Sequence, residues 1–302
     1  MIKVGVVACV SLSMVACAAE HLQTTDAATT ASQSTPVTPP PAANKNPESA
    51  GSPADARSTQ FETPDAMLSA LEKSGEAMTT FRANVVYDRV DAVSENRERR
   101  TGEIVLEQQA GKLKSRRLAI QFDQLIDASG HATSQRMRYV FSGGWLFEFD
   151  DQRHQLIARE LVPPGEQLDP LRMDEGLIPI PIGQKKDQID QRFHVQFAAQ
   201  PTEPLLKRLE NVQGLALHPK PNSGVDPELG DLCVWYDLTT LAPVAVTATT
   251  KGGDAKILLL TKIQVNKVLD ESAKAMLATQ PADLTTNGVP WRKDVRPYKS
   301  AP

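Results

Sequence analysis

The sequence predicts an α+β fold, one N-terminal helix followed by a long antiparallel sheet, and three observations carry that prediction. Apolar residues first recur at helical spacing, in Met67, Leu68, Leu71 and Met78. From Phe81 the period drops to two, and it returns in about ten further segments. Those segments are joined by short turn-forming links, whereas a parallel sheet needs a crossover, usually a helix, between strands.

The helix has a well-marked start. Thr63 can cap it, Pro64 suits the first helical position and Asp65 complements the dipole. In the first strand Phe81, Ala83, Val85 and Tyr87 alternate with Arg82, Asn84 and Asp88, as expected when one face is buried. Further strands are expected over 101–107, 113–122, 135–141, 145–149 and 155–162, then over 192–198, 215–218, 232–238, 244–250 and 256–266. Gly143-Gly144 and the run Asp150-Asp151-Gln152-Arg153 read as hairpin loops, so sequence neighbours should be sheet neighbours. Asp270 suits the cap of a short helix through Ala273, Met276 and Leu277.

The N-terminal end reads differently. Lys3 precedes an apolar stretch from Val4 to Ala16, and small residues gather at Ala16, Cys17, Ala18 and Ala19, as in an export signal. Met14-Val15-Ala16-Cys17 resembles a bacterial lipobox, which implies cleavage after residue 16 and acylation of Cys17. The same letters satisfy an ordinary A-x-A site with cleavage after Ala18. The first reading is preferred, because the cysteine stands where a lipobox needs it. Residues 17–60 form a polar tether: from Ala18 to Gln60 there is no Phe, Trp or Tyr, and prolines stand among Thr, Ser, Ala and Gln. Residues 61–302 are then the folded domain. No later segment approaches the ~20 apolar residues of a membrane-spanning helix, so attachment to a membrane depends on Cys17.

Charge and cysteine usage exclude several chemistries. A formal net charge of −4 lacks the cationic surplus that drives nucleic-acid binding. Cys233 is the only thiol in the folded body, so an internal disulfide and a CxxC metal site are both ruled out there; it reads as a small buried hydrophobe. The chain has no GxSxG, HExxH, Walker or GxGxxG motif, and its five histidines show no ligand spacing. His194 is expected on an exposed face, and the acids Asp150 and Asp151 as turn formers. No cofactor or metal is expected, and the protein should be a monomer.

What remains is apolar surface on a sheet. Tyr139, Phe141, Trp145, Phe147 and Phe149 all stand at odd positions of one hairpin, and they form a single aromatic wall if the Gly143-Gly144 turn preserves the facing. Val85 and Tyr87, Ile104 and Leu106, and Leu118, Ile120 and Phe122 supply same-face sets on neighbouring strands. Together these residues are either the core under the helix or the lining of a groove, and ligand sites are concave and mostly apolar. The segment 163–183 is too long and Pro-rich for a hairpin, and it carries Leu171, Met173, Leu177, Ile178, Ile180 and Ile182. It reads as a lid over such a groove or as a brace packed on the sheet edge.

The order of elements resembles the superfamily of the outer-membrane lipoprotein carriers LolA and LolB. The resemblance rests on Met78-Thr79-Thr80-Phe81-Arg82-Ala83 after the helix, Gly102-Glu103-Ile104 in the second strand, and Trp235-Tyr236-Asp237, Pro243 and Asn266 in the last strands. It covers about residues 61–298 and is one of architecture more than signature. It implies an incomplete β-barrel whose concave face, closed by helices and a lid-like loop, holds acyl chains of a lipid or lipoprotein without chemistry. It also implies a place in the cell envelope, anchored to the outer membrane facing the periplasm, or soluble in the periplasm if cleavage follows Ala18. No arginine is assignable from sequence to the latch that the soluble carrier uses on its lid. A sensor that binds a protein partner on the same fold, and a hydrolase with dispersed residues, are the other classes open.

Overall fold

The structure, a computed structural model, describes residues 60–109, 112–166, 169–171, 182–280, 285–286 and 288–299. The signal segment, Cys17, the tether up to residue 59, and the lid residues Met173, Leu177, Ile178 and Ile180 lie outside the described residues.

Helix α1 (Pro64–Ala77) begins as its sequence requires, with the Thr63 hydroxyl accepting from the Ala66 N–H and Pro64 in the first turn. It ends one residue before the last member of the apolar stripe: Met78 is already extended, and its buried side chain belongs to the link into the sheet. The strands follow as β1 (Thr80–Val90), β2 (Arg97–Gln109), β3 (Lys112–Ile126), β4 (Ala132–Ser142), β5 (Trp145–Asp150) and β6 (Gln155–Glu160). Helix α2 (Lys186–Arg192) leads into β7 (Phe193–Phe197), β8 (Val212–Pro219), β9 (Leu229–Asp237), β10 (Pro243–Thr250) and β11 (Ala255–Val265). Helix α3 (Glu271–Met276), a two-stranded pair β12 (Thr285–Thr286) and β13 (Val289–Pro290), and β14 (Arg292–Arg296) complete the chain.

Twelve strands make one open sheet in the order β14-β6-β5-β4-β3-β2-β1-β11-β10-β9-β8-β7. Two sequence-local meanders, β2–β6 and β7–β11, flank β1, which pairs antiparallel with both β2 and β11. The expected strands are present, and α3 starts on the Asp270 cap, whose carboxylate accepts from the Ala273 N–H at 2.8 Å. Helix α2 and the short strands β12, β13 and β14 were not expected. Helix α2 claims Arg192, and β14 pairs parallel to β6, so the sheet is not antiparallel throughout.

The sheet separates two apolar layers. On its concave side Met67, Leu68 and Leu71 of α1 pack with Val85, Ile104, Leu106, Leu118, Ile120, Phe122, Tyr139 and Phe141, continuing to Leu217, Val234, Tyr236, Val246 and Leu258. On the convex side Leu269, Ala273, Met276 and Leu277 at α3 cover Val105, Ala119, Val140, Phe149 and Leu156. Arg138 holds α3 there, donating to the carbonyls of Ala275, Met276 and Ala278 with its guanidinium 3.9 Å from the centre of the Phe149 ring.

The single aromatic wall does not form. Gly143 and Gly144, with φ of 59° and 84°, make a two-residue turn that pairs Ser142 with Trp145. Directly opposed residues of an antiparallel pair share a face, so odd residues of β4 face with even residues of β5. Tyr139 and Phe141 therefore stand beside Glu148 and Leu146 on the concave side. Trp145, Phe147 and Phe149 are carried to the convex side, where Trp145 and Phe147 stack at 6.2 Å and Phe149 meets Trp291 edge-on.

Candidate functional site

The concave face is floored by alternate residues of successive strands. Ile104 stands opposite Ile120, which stands opposite Tyr139; Leu106 stands opposite Leu118, and that opposite Phe141. All six are at most 5% exposed. Tyr87, Phe122 and Tyr139 make a ring-to-ring chain at 6.1 and 6.4 Å towards one end of the face. Burial pushes the Tyr87 phenol up to about 12 and raises those of Tyr139 and Tyr236.

Among the described residues, several elements cover this floor. They include α1, Ile189 of α2, and Leu171 and Ile182 at the two ends of the expected lid, both buried in the same cluster. Gly75 of α1 and Gly183 touch backbone to backbone: a Cβ on Gly75 would lie 2.1 Å from the Gly183 Cα, so no other residue fits without a shift. Gln184 donates to the Leu171 carbonyl at 2.7 Å, and Lys186 bridges Asp65 of α1 and Asp190 of α2.

Among the described residues an ionic tie joins the floor to the cover. Arg116 projects from β3 with no exposed side-chain surface, and its Nη1 donates to both Asp169 oxygens at 2.9 and 3.1 Å. Its Nε donates to Gln108, whose amide donates in turn to the carbonyls of Gly75 and Met78 at the end of α1. The Nη2 of Arg116 is buried without a hydrogen-bond partner. Burial pulls the guanidinium down from its ordinary range, against the pull of Asp169. Sequence reading missed this group, yet the signal was there: counting back two from Leu118 puts Arg116 on the inward face.

The same counting finds the opposite end of the floor. Two residues before Gly102 on the Ile104 face stands Arg100, only 4% exposed, with its guanidinium 6.0 Å from the Phe122 ring and its Nε donating to Glu98 at 2.6 Å. Tyr87 is its cross-strand partner. Beside Tyr139, the largely buried Glu148 accepts from Arg159 at 2.6 Å. The concave face is thus an apolar floor with a buried arginine at each end.

Other sequence-level features fall outside this face. Cys233 lies on the convex side with Trp235, its thiol raised by burial. His194 is exposed, as expected from its place in β7, and pairs in register with His218. His218 meets Asp231 through Nδ1 at 2.7 Å and Gln196 through Nε2, and no serine or cysteine joins that pair among the described residues. Asp150 accepts from the Arg153 N–H as a turn former, and Asp151 lies in a polar surface hollow with Asp123, Ser134, Arg136 and Gln152. No group of three or more potential metal ligands occurs among the described residues, and no helix there is long and apolar enough to cross a membrane.

No family model matches the chain, and no curated protein matches it. Solved structures do. An uncharacterized conserved protein from Thermus thermophilus is similar over 76% of this chain and 98% of its own, at 9% identity and a TM-score of 0.42. The MucA/MucB complex of Pseudomonas aeruginosa is similar over 69% of this chain and 59% of the matched one, at 15% identity and a TM-score of 0.37. The LolA superfamily protein NE2245 from Nitrosomonas europaea is similar over 70% of this chain and 97% of its own, at 10% identity and a TM-score of 0.29.

Proposed function

We propose that this chain is an exported, membrane-tethered protein that holds the acyl chains of a lipid or lipoprotein against the concave face of its sheet and performs no chemistry on them. The observation that carries this reading is the mismatch between floor and cover. Twelve strands spaced at about 4.8 Å extend the sheet over roughly 50 Å. Helix α1, with 14 residues, is about 21 Å long, and α2 is half that. Among the described residues the apolar part of this face is closed by short helices, loop residues and the Arg116–Asp169 pair, with no second sheet. Such a cover can lift, and a flexible acyl chain can then take the place of the side chains that packed on the floor.

Mass spectrometry of hydrophobic molecules that co-purify with the full chain tests this directly. Long-chain lipids in near-equal amount to protein are expected; their absence, together with no saturable uptake of the neutral probe N-phenyl-1-naphthylamine, overturns the reading. The tether is tested separately. Cys17→Ser should release the protein from the membrane fraction, and a variant that still sediments with membranes refutes anchoring through that residue. A place in the outer membrane facing the periplasm, or in the periplasm if cleavage follows Ala18, belongs to the same proposal.

A sensor that docks a protein partner is the second reading, and the half-buried Trp145–Phe147 stack on the convex face favours it. A partner whose capture is lost in Trp145→Ala, with lipid uptake unchanged, would establish it.

A further inference from the structure

We propose that the Arg100 end of the concave face binds the negatively charged headgroup of a single-chain amphiphile, so that the ligand lies along the floor with its head at Arg100 and its tail towards Arg116. This rests on the acyl-binding reading and adds orientation and ligand charge to it.

Three observations carry it. First, Arg100 is buried yet its acid is not: Glu98 keeps 29% of its side chain exposed, against 4% for Arg100. A carboxylate already seated on the guanidinium from the rim is a stand-in for a ligand carboxylate or phosphate, and it can swing into water when displaced. Second, the guanidinium stands beside Phe122 and across from Tyr87, where the floor becomes aromatic, so an anion here has apolar surface directly beneath its chain. Third, the charges at this end suit an anion. In register with Glu98 is Arg89, and in register with Arg89 is Lys256, so among the described residues Arg89, Arg100 and Lys256 gather on β1, β2 and β11 around Glu98. Asp150 and the Glu148–Arg159 pair stand further along, on β5 and β6.

Length agrees as well. Gln108, the partner of Arg116, and Arg100 stand eight residues apart on β2, about 26 Å of strand. One acyl chain occupies half of a hydrocarbon core about 30 Å thick, so a single extended chain fits between the two arginines.

The test displaces N-phenyl-1-naphthylamine from the full chain with two matched pairs, palmitate against hexadecanol and 1-palmitoylglycerol 3-phosphate against 1-palmitoylglycerol. Each anionic member should bind at least about 10-fold tighter than its neutral partner, and the two pairs report which anion is preferred. Arg100→Gln should erase that advantage and leave the neutral ligands within about twofold. Glu98→Gln should do the opposite, tightening the anions several-fold, and it decides the matter if Arg100→Gln fails to fold. Equal binding of charged and neutral members, or no response of their ratio to Glu98→Gln, overturns the headgroup site while leaving acyl binding intact. Failure of all four ligands to displace the probe overturns the acyl-binding reading itself.

Discussion

Replacing Asp169 by Ala separates a lid from a brace. The substitution leaves the Arg116 guanidinium, which has no exposed surface, with Gln108 as its one remaining partner. If 163–183 is a fixed brace, the charge stays buried, and losing one member of a buried pair costs about 3–5 kcal/mol. At about 2–4 °C per kcal/mol for a domain of this size, the unfolding midpoint would drop by roughly 6–20 °C. If the segment is a lid, it lifts instead and water reaches Arg116, so the global loss is capped by the small free energy of opening. We expect the second pattern: a midpoint lowered by less than about 4 °C, with exchange of the Gly183, Gln184 and Ile189 amides accelerated about 10- to 100-fold while β2 and β3 keep their protection. Calorimetry and hydrogen exchange on the same samples measure both quantities. A drop of 6 °C or more, with exchange rising uniformly across the sheet, refutes the lid.

Gly75→Ala should destabilise by more than about 2 kcal/mol, because its new methyl meets backbone at Gly183, and chemical denaturation reads that loss. Phe141→Ala and Phe149→Ala should each cost about 3–5 kcal/mol. Only the first should change probe uptake, since the two rings lie on opposite faces; equal effects on uptake would contradict the strand register. Alkaline titration should expose Tyr87. Its phenol is raised to about 12 in the fold, so the protonated form favours folding, and that stability is complete below about pH 10 and lost as pH rises towards 12. Tyr87→Phe should make that limb shallower, leaving the share of Tyr139 and Tyr236, and an unchanged limb would assign the loss to other groups.

Strand positions were legible because one buried face imposes a period of two, as Phe81, Ala83 and Val85 of β1 show. Helix α3 was legible from its Asp270 cap. The facing of Trp145, Phe147 and Phe149 was not read correctly, because odd spacing holds within a strand and a two-residue turn exchanges odd for even across it. Helix α2 has one buried residue, Ile189, too little apolar pattern to announce a helix. β14 is written almost entirely in charged residues; its partner is main chain, which leaves no side-chain signature. At the site, Arg116 and Arg100 occupy inward positions that the apolar alternation specifies, but a search for apolar residues passes over the charges that interrupt them.

The central position of β1 has a consequence for how the molecule is made. Every hairpin in β2–β6 can close as soon as its own residues exist, whereas the second edge of β1 waits for β11, whose Val265 pairs with Phe81. A chain emerging from its N terminus therefore carries the β1 edge unpaired for most of its synthesis, and long-range pairing of this kind is slow to form. During that interval an apolar strand is open to any other extended chain, so a holdase that occupies it would have its greatest effect before residue 255 appears.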